Sequence, residues 1–429
     1  MLDALLTLFK EQGWLKERGK QRTDSTHILA KVRAINRLMC VGEAMRFVLN
    51  SLAVVAGDWL LEHSDEIWLR RYGHRIEEKL FPKSQESRLA VAETIGQDGW
   101  KLLTNLFDPA APAWLREIPA VDGLRRIWIQ NYRSEDGQVH WREQPDIPPA
   151  ALFINSPYDH EARYGKKYST RWTGYKVHLT ETCEQDQPHL IVHVATTPAP
   201  TSDVVMTEVI QADLQQAQMP PRQHLLDAGY INADVLADAE SRFGIEIISP
   251  AHPDVKWQAN TDQGIDASQF VIDWERKQAI CPQGQTSVSW TPTFDTRQHE
   301  VIKIRFSTKD CQRCPALTRC TSSKSRAPRR LLSVRPQHQY EALKTARKAQ
   351  ATKKFSRQYA LRSGIEATIS QGVRAFGLRR SRYIGLAKTH LQHIGIAAAI
   401  NLVRVVAWLD GDELAPTRVS AFQRLYAAA

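Results

Sequence analysis

Between Tyr175 and Pro250 the sequence switches repeatedly between the two-residue period of strands and the longer period of helices. No other feature restricts the fold as much. The runs "YKVHLTETC" and "LIVHVATT" are rich in β-branched residues and parted by the turn-forming "EQDQP", so they predict an antiparallel hairpin. "SDVVMTEVIQADLQQAQ" has helical periodicity with Asp203 near its start, and "QHLLDAGY" is a short apolar strand ending in an acid and a glycine. "NADVLADAESRFG" predicts a helix capped by Asn232 and stopped at Gly244, and "IEIISP" predicts a further strand. Strand, strand, helix, strand, helix, strand is the order of an α/β layer on a mixed sheet.

The flanking regions have a different texture. Early leucines alternate with Lys10, Glu11, Lys16 and Glu17, which predicts an amphipathic helix rather than a signal peptide. From residue 28 to about 130, apolar positions Ile28, Val32, Ile35, Leu38 and Met39, then Met45, Val48, Leu49 and Leu52, recur at helical steps. "QPDIPPA" then reads as a linker. Residues 251–335 hold short strand-like pieces ("QFVIDW", "VIKIRF") and a cysteine cluster, which predicts a β-rich insertion. From Pro336 to Phe376 the chain is predicted helical, and a last helix runs from about Leu386 to Leu409. No apolar run of membrane-spanning length is expected, because Asn401 and Arg404 interrupt the best candidate, Ile394 to Leu409.

Charge is unevenly placed. The chain has 57 Lys and Arg against 47 Asp and Glu, a net of +10. Lys324 to Arg382 alone carries 16 Lys and Arg but only Glu341 and Glu366, a net of +14, which leaves the remainder at −4. A solvated helix face usually mixes signs. Basicity almost free of acids favours a phosphate backbone as partner, so double-stranded DNA is the expected ligand.

Within that segment, "YALRSGIEATISQGVRAFGLRRSRY" carries the lone acid Glu366 among five arginines. On one continuous helix, at about 100° per residue, Tyr359, Arg362 and Glu366 share a face, with Arg374 about 12 Å further along it. The ordinary alternative is an i, i+4 surface pair between Arg362 and Glu366. A carboxylate facing phosphates among arginines would repel them unless a divalent cation lay between, which points to Mg²⁺ or Mn²⁺ on hard oxygen ligands. Asp227 in "LLDAGY" follows a strand, where α/β folds place ligand-binding groups, although a strand-end Asp more commonly caps a turn. A third carboxylate is needed. Asp24 in "QRTDSTHILA" and Asp159 in "SPYDHEARYGKK" rank equally from the residues alone.

"RTDSTH", "LLDAGY" and "YALRSGIEATI", in this order, resemble the three acidic motifs of bacterial insertion-sequence DDE transposases. "YALRSGIE" has the Tyr-x2-Arg-x3-Glu spacing of one large subgroup. That signature closes with Lys seven residues after the Glu, where this chain has Val373 and then Arg374. "SPYDHEARYGKK" and "RRSRYIGLAKTHLQHIGIAAAINLVR" resemble one branch of that family, and the likeness runs to about residue 425. The resemblance implies an RNase H-like mixed sheet flanked by helices, with Asp24 ending its first strand, Asp227 ending the adjacent one and Glu366 on a helix beside them. Asp24, Asp227 and Glu366 would be catalytic and hold Mg²⁺ for DNA cleavage and strand transfer. Tyr359, Arg362, Arg374, Arg379, Arg380 and Arg382 would bind DNA, with a homodimer assembled on it. The implied organisation is an N-terminal helix and first strand (1–27), a helical insertion with linker (28–150), the α/β core (151–250), the β-rich insertion (251–335) and C-terminal helices (336–429). Such transposases usually carry a further helical region before the first acid, and 23 residues precede Asp24 here, so a truncated copy is an expectation too. The alternatives are therefore an inactive DNA-binding transposase remnant and an RNase H-like nuclease.

Six cysteines without an export signal suit a reducing cytosol, with the protein on the nucleoid. Cys281, Cys311, Cys314 and Cys320 include one C-x2-C pair and could form a structural tetrahedral Zn²⁺ site; buried free thiols are the alternative.

Overall fold

The computed structural model describes residues 1–412 and Leu425. Its centre is a curled mixed sheet. The strands are β1 (Lys20–Leu29), β2 (Arg163–Lys167), β3 (Thr170–Thr182), β4 (Ile191–Pro198), β5 (Gln223–Leu225) and β6 (Glu246–Ile248). They are ordered β2-β3-β1-β5-β6, with β4 also paired to β3. β1 to β4 pair antiparallel, β5 joins β1 in parallel, and β6 joins β5 in parallel. The hairpin expected of the two β-branched runs is the β3–β4 pair, with Val177 opposite Thr196.

β1 is central, buried on both faces, and polar. Gln21, Arg22, Thr23, Asp24, Ser25 and Thr26 are all buried. Their polar groups are satisfied sideways, as with Thr23, whose hydroxyl lies 2.7 Å from both Thr180 Oγ1 and His224 Nε2.

Five helices cover this sheet: α1 (Leu2–Glu11), α2 (Asp203–Gln216), α3 (Ala233–Phe243), α4 (Gly364–Phe376) and α5 (Leu386–Leu409). Leu6, Phe9, Ile210, Ile365, Ile396 and Ile400 share one core with Tyr175, Val177 and Ile191 of the sheet. The Asn232 side chain accepts from Val235 N at 2.8 Å, capping α3 as expected.

Helices Arg37–Val55, Gln85–Leu106 and Pro119–Asn131 enclose a separate core around Met45, Leu102 and Ile127. A third core, around Phe270, Phe306 and Leu332, lies under the antiparallel strands Ser289–Phe294, Glu300–Arg305 and Leu331–Val334.

Several expectations are corrected. Ile28 belongs to β1, and the helical pattern begins only at Arg37, where Asn36 caps the first turn by accepting from Met39 N. Asp24 lies in the middle of β1, opposite Leu179, rather than at its end. Residues 337–376 are not one helix. They divide into Gln337–Gln350, Lys353–Ala360, a short turn Leu361–Ser363, and α4, with Thr352 capping the second piece. Two helices, Arg37–Val55 and α5, are long and apolar enough by composition to cross a membrane, contrary to expectation. Both contribute to cores here, and Asn401 and Arg404 of α5 are used internally. Asn401 is fully buried and bonds both backbone groups of Ile191, at 2.7 and 2.8 Å. Apart from Leu425, residues 413–429 of the expected C-terminal region lie outside the described residues.

Candidate active site

Three carboxylates from distant parts of the chain meet at one guanidinium. Arg362 Nη2 donates to Asp24 Oδ2 at 2.6 Å and lies 3.7 Å from Asp227 Oδ2, while Nη1 donates to Glu366 Oε1 at 3.1 Å. The parallel pairing of β5 with β1 brings Asp227, just beyond β5, beside the middle of β1. Asp227 also caps the turn Ala228–Tyr230, accepting from Gly229 N at 2.8 Å, so the common structural use of such an Asp is present as well. Glu366 is in the first turn of α4 and the most exposed of the three, with 66 % of its side chain accessible.

Burial holds the Asp24 carboxyl above its usual range, and the attraction of Arg362 offsets only part of that. For Arg362, burial works against the charge, but Asp24 and Asp227 outweigh it and raise its pKa. An arginine thus stands where a cation is needed to keep these acids together.

α4 is held at this place by a buried ionic network that the sequence did not reveal. Glu181 of β3 is fully buried and accepts from Arg22 Nε of β1 and Arg404 Nη1 of α5, each at 2.7 Å, and from the Thr368 hydroxyl of α4. Burial pushes the Glu181 carboxyl up, yet Arg404 and Arg22 together bring it below its ordinary value. Arg22 also donates to Leu361 O at 2.5 Å, in the turn before α4. A Cβ on Gly364 would lie 2.1 Å from Arg22 Nη1, so a larger residue there would push the guanidinium off its bonds to Glu181 and Leu361 O. The one available signal was a glutamate inside the β-patterned "VHLTETC".

Tyr359 reaches the site from a different helix. It stacks on Phe355 with ring centroids 5.6 Å apart, and both pack with Leu361 against Leu225 and Ile248. The shared stripe expected of one continuous helix therefore does not exist across Leu361–Ser363, although Arg362 and Glu366 still meet at i, i+4. Arg374 is exposed in the last turn of α4 and forms no ion pair among the described residues. Arg379 donates from Nε to Thr26 Oγ1 at 3.0 Å, and its carbonyl accepts from Leu29 N at 2.8 Å, so it lies along β1. Arg380 and Arg382 are exposed in the same loop. Asp159 is placed elsewhere. It is buried and accepts from the Tyr175 hydroxyl at 2.6 and 2.7 Å and from Gly385 N at 3.2 Å.

The four cysteines converge. Cys281, Cys311, Cys314 and Cys320 line one small cavity with Ile265, Phe306 and Leu317. Burial pushes the Cys320 thiol up to about 11 and raises that of Cys311. Among the described residues, no three His, Cys, Asp or Glu stand close enough together to hold a metal as they are.

Residues 280–406 match the family described as "Transposase DDE domain". That span includes the four cysteines, Tyr359, Arg362 and Glu366, and ends before Asp410; Asp24 and Asp227 precede it. No curated protein matches the chain. The match supports a DDE transposase in general, and with it DNA as partner and DNA transposition as function.

Proposed function

We propose that this chain is a metal-dependent DNA transposase with an RNase H-like core, and that Asp24, Asp227 and Glu366 are its catalytic acids. The observation that carries the reading is the convergence of these three side chains, from positions 24, 227 and 366, on Arg362. The strand order β4-β3-β1-β5-β6, antiparallel on one side of β1 and parallel on the other, supports the RNase H-like assignment. The oxygen-only donor set suits Mg²⁺ or Mn²⁺, and an acidic cluster now balanced by a guanidinium suits a site that trades that charge for metal.

When bound, two such ions would supply the Lewis acid and the activated water or 3′ hydroxyl for cleavage and strand transfer. Asp24 and Asp227 would hold them from the rigid sheet, and Glu366 from the docked end of α4. With metal neutralising the acids, Arg362 would be free to hold the scissile phosphate in a bidentate contact, with Tyr359 donating beside it. Arg374, Arg379, Arg380 and Arg382 would follow the DNA backbone without reading sequence. Cys281, Cys311, Cys314 and Cys320 line one cavity and would hold a structural Zn²⁺ once drawn closer together than they stand here. The protein would act as a homodimer on transposon ends, in the nucleoid.

The test is a strand-transfer assay with labelled duplex, Mg²⁺ and plasmid target. Joined product supports the transposase, and cleavage without joining selects an RNase H-like nuclease. Metal-independent DNA binding without cleavage selects the inactive remnant.

A further inference from the structure

The β2–β3 hairpin carries charge that neither the acidic site nor the basic C-terminal segment accounts for. From Ala162 to Thr180 there are five cations, Arg163, Lys166, Lys167, Arg171 and Lys176, and no acid. Lys176 is neutralised by Asp203 at 2.8 Å, and Arg163 donates to Leu152 O at 2.7 Å. Lys166, Lys167 and Arg171 are exposed and form no ion pair among the described residues. Lys166 lies directly across from Arg171 in the ladder. Like charges so placed destabilise a hairpin unless an anion covers them. The two-residue turn between Lys167 and Thr170 places Tyr168 at φ +53, a conformation usually left to glycine or asparagine, with 89 % of its surface exposed. A bulky aromatic there adds nothing to the fold.

The hairpin is rigidly mounted against β1. Trp172 is buried, its ring fills the space a Cβ at Gly165 would need, and it lies 5.5 Å from the His27 ring of β1. Gly174 has φ +151, and a Cβ there would come 2.2 Å from Ile28 O, so only glycine allows this bend against β1. β3 pairs with β1 from Thr182 to Gly174, and the turn of the hairpin lies beyond that ladder. At the end of the ladder Ala30 N donates to Thr173 O of the hairpin while Leu29 N donates to Arg379 O. The hairpin and the arginine loop therefore flank the end of β1.

We propose that residues 166–171 form a second DNA-contacting element, in which Lys166, Lys167 and Arg171 hold phosphates across the end of β1 from Arg379 and Arg380 and Tyr168 stacks on a base exposed there. This rests on the transposase reading. It extends DNA binding to a part of the chain outside the basic C-terminal segment, and gives that binding an aromatic that responds to base opening.

The experiment measures anisotropy of a fluorescein-labelled random duplex against salt, without metal, for the parent and for K166A/K167A/R171A. All three side chains are exposed, and a thermal melt checks folding. The log–log salt slope should flatten by about 0.9 for each phosphate the variant no longer neutralises, hence by roughly two to three. Tyr168→Ala should weaken binding to a duplex with an internal mismatch more than to intact duplex, and Tyr168→Phe should restore it. A parent that fails to bind DNA overturns both this element and the transposase reading. A parent that binds, with an unchanged slope in the triple variant, overturns the hairpin alone, and so does a triple variant altered only in oligomeric state.

Discussion

Arg362 donates a 2.6 Å charged hydrogen bond to Asp24, joining the turn before α4 to the middle of the central strand across more than three hundred residues of sequence. Asp24 is buried, and this pairing is what makes its ionised form tolerable without metal.

Removing that partner should therefore be costly. Arg362→Ala leaves Asp24 and Asp227 facing each other with no cation, and should destabilise the metal-free protein by about 3–5 kcal/mol, the usual cost of breaking a buried pair. Mg²⁺ should then raise the melting temperature of the variant more than that of the parent, because no guanidinium competes for the acids. Differential scanning calorimetry with and without Mg²⁺ measures both.

Glu181 makes no contact with the three site acids, yet it ties together β1, β3, α4 and α5. Glu181→Gln keeps the shape but leaves Arg22 and Arg404 buried with only a neutral partner. A loss of roughly 3 kcal/mol or more is expected in urea unfolding, and hydrogen exchange should rise in α4 before the rest of the sheet.

Three buried histidines set the acid limit of the fold. Burial depresses His178 to about 4, and His224 and His393 to about 3, against 6.5 for a free imidazole. The folded protein binds fewer protons than the unfolded chain between those values, so stability rises with pH there. The contribution is complete above about pH 6.5 and is lost as pH falls toward 4 and 3. Chemical denaturation at pH 7.5, 5.5 and 4.5 should show a progressive loss of several kcal/mol in total. His393→Gln should reduce the pH dependence of that loss.

The cysteine cavity predicts about one zinc per chain in protein purified without chelator. Cys314→Ser should lower that content and destabilise the β-rich insertion, with less effect on the α/β sheet. Metal analysis of parent and variant decides it, and zinc-free parent protein would contradict the assignment.

The legible parts of the fold were those whose burial follows a simple period. The β3–β4 hairpin and helices α2, α3 and α5 fall where alternation and caps place them. β1 was not legible, because "KQRTDSTHIL" is buried on both faces and still polar, its side chains bonding to Thr180, Glu181 and His224 rather than packing as hydrocarbon. Asp24 was singled out as a candidate only through likeness to a family, since hydropathy ranked it no higher than Asp159. The stripe through Tyr359 failed for a local reason. The turn at Leu361–Ser363 breaks the helix, so the 100° step per residue does not carry from Tyr359 to Glu366. Arg362 and Glu366 still meet, because their spacing survives the turn. The Lys166–Arg171 hairpin went unread because its charge is modest in sequence and matters only once the fold brings it beside the Arg379 loop at the end of β1.

Glu366 gives the most direct test of the central claim. It is exposed, so Glu366→Gln should fold like the parent, and its pair with Arg362 is worth about 0.5 kcal/mol or less if merely structural. Cleavage of labelled duplex should be measured against Mg²⁺ concentration for both proteins, beside metal-free DNA affinity. As a metal ligand, Glu366→Gln abolishes Mg²⁺-dependent cleavage and leaves affinity equal or slightly higher, since a carboxylate that repels phosphates is gone. A parent that cuts DNA and a Glu366→Gln variant that cuts it equally well at every Mg²⁺ concentration would contradict the catalytic role of this site.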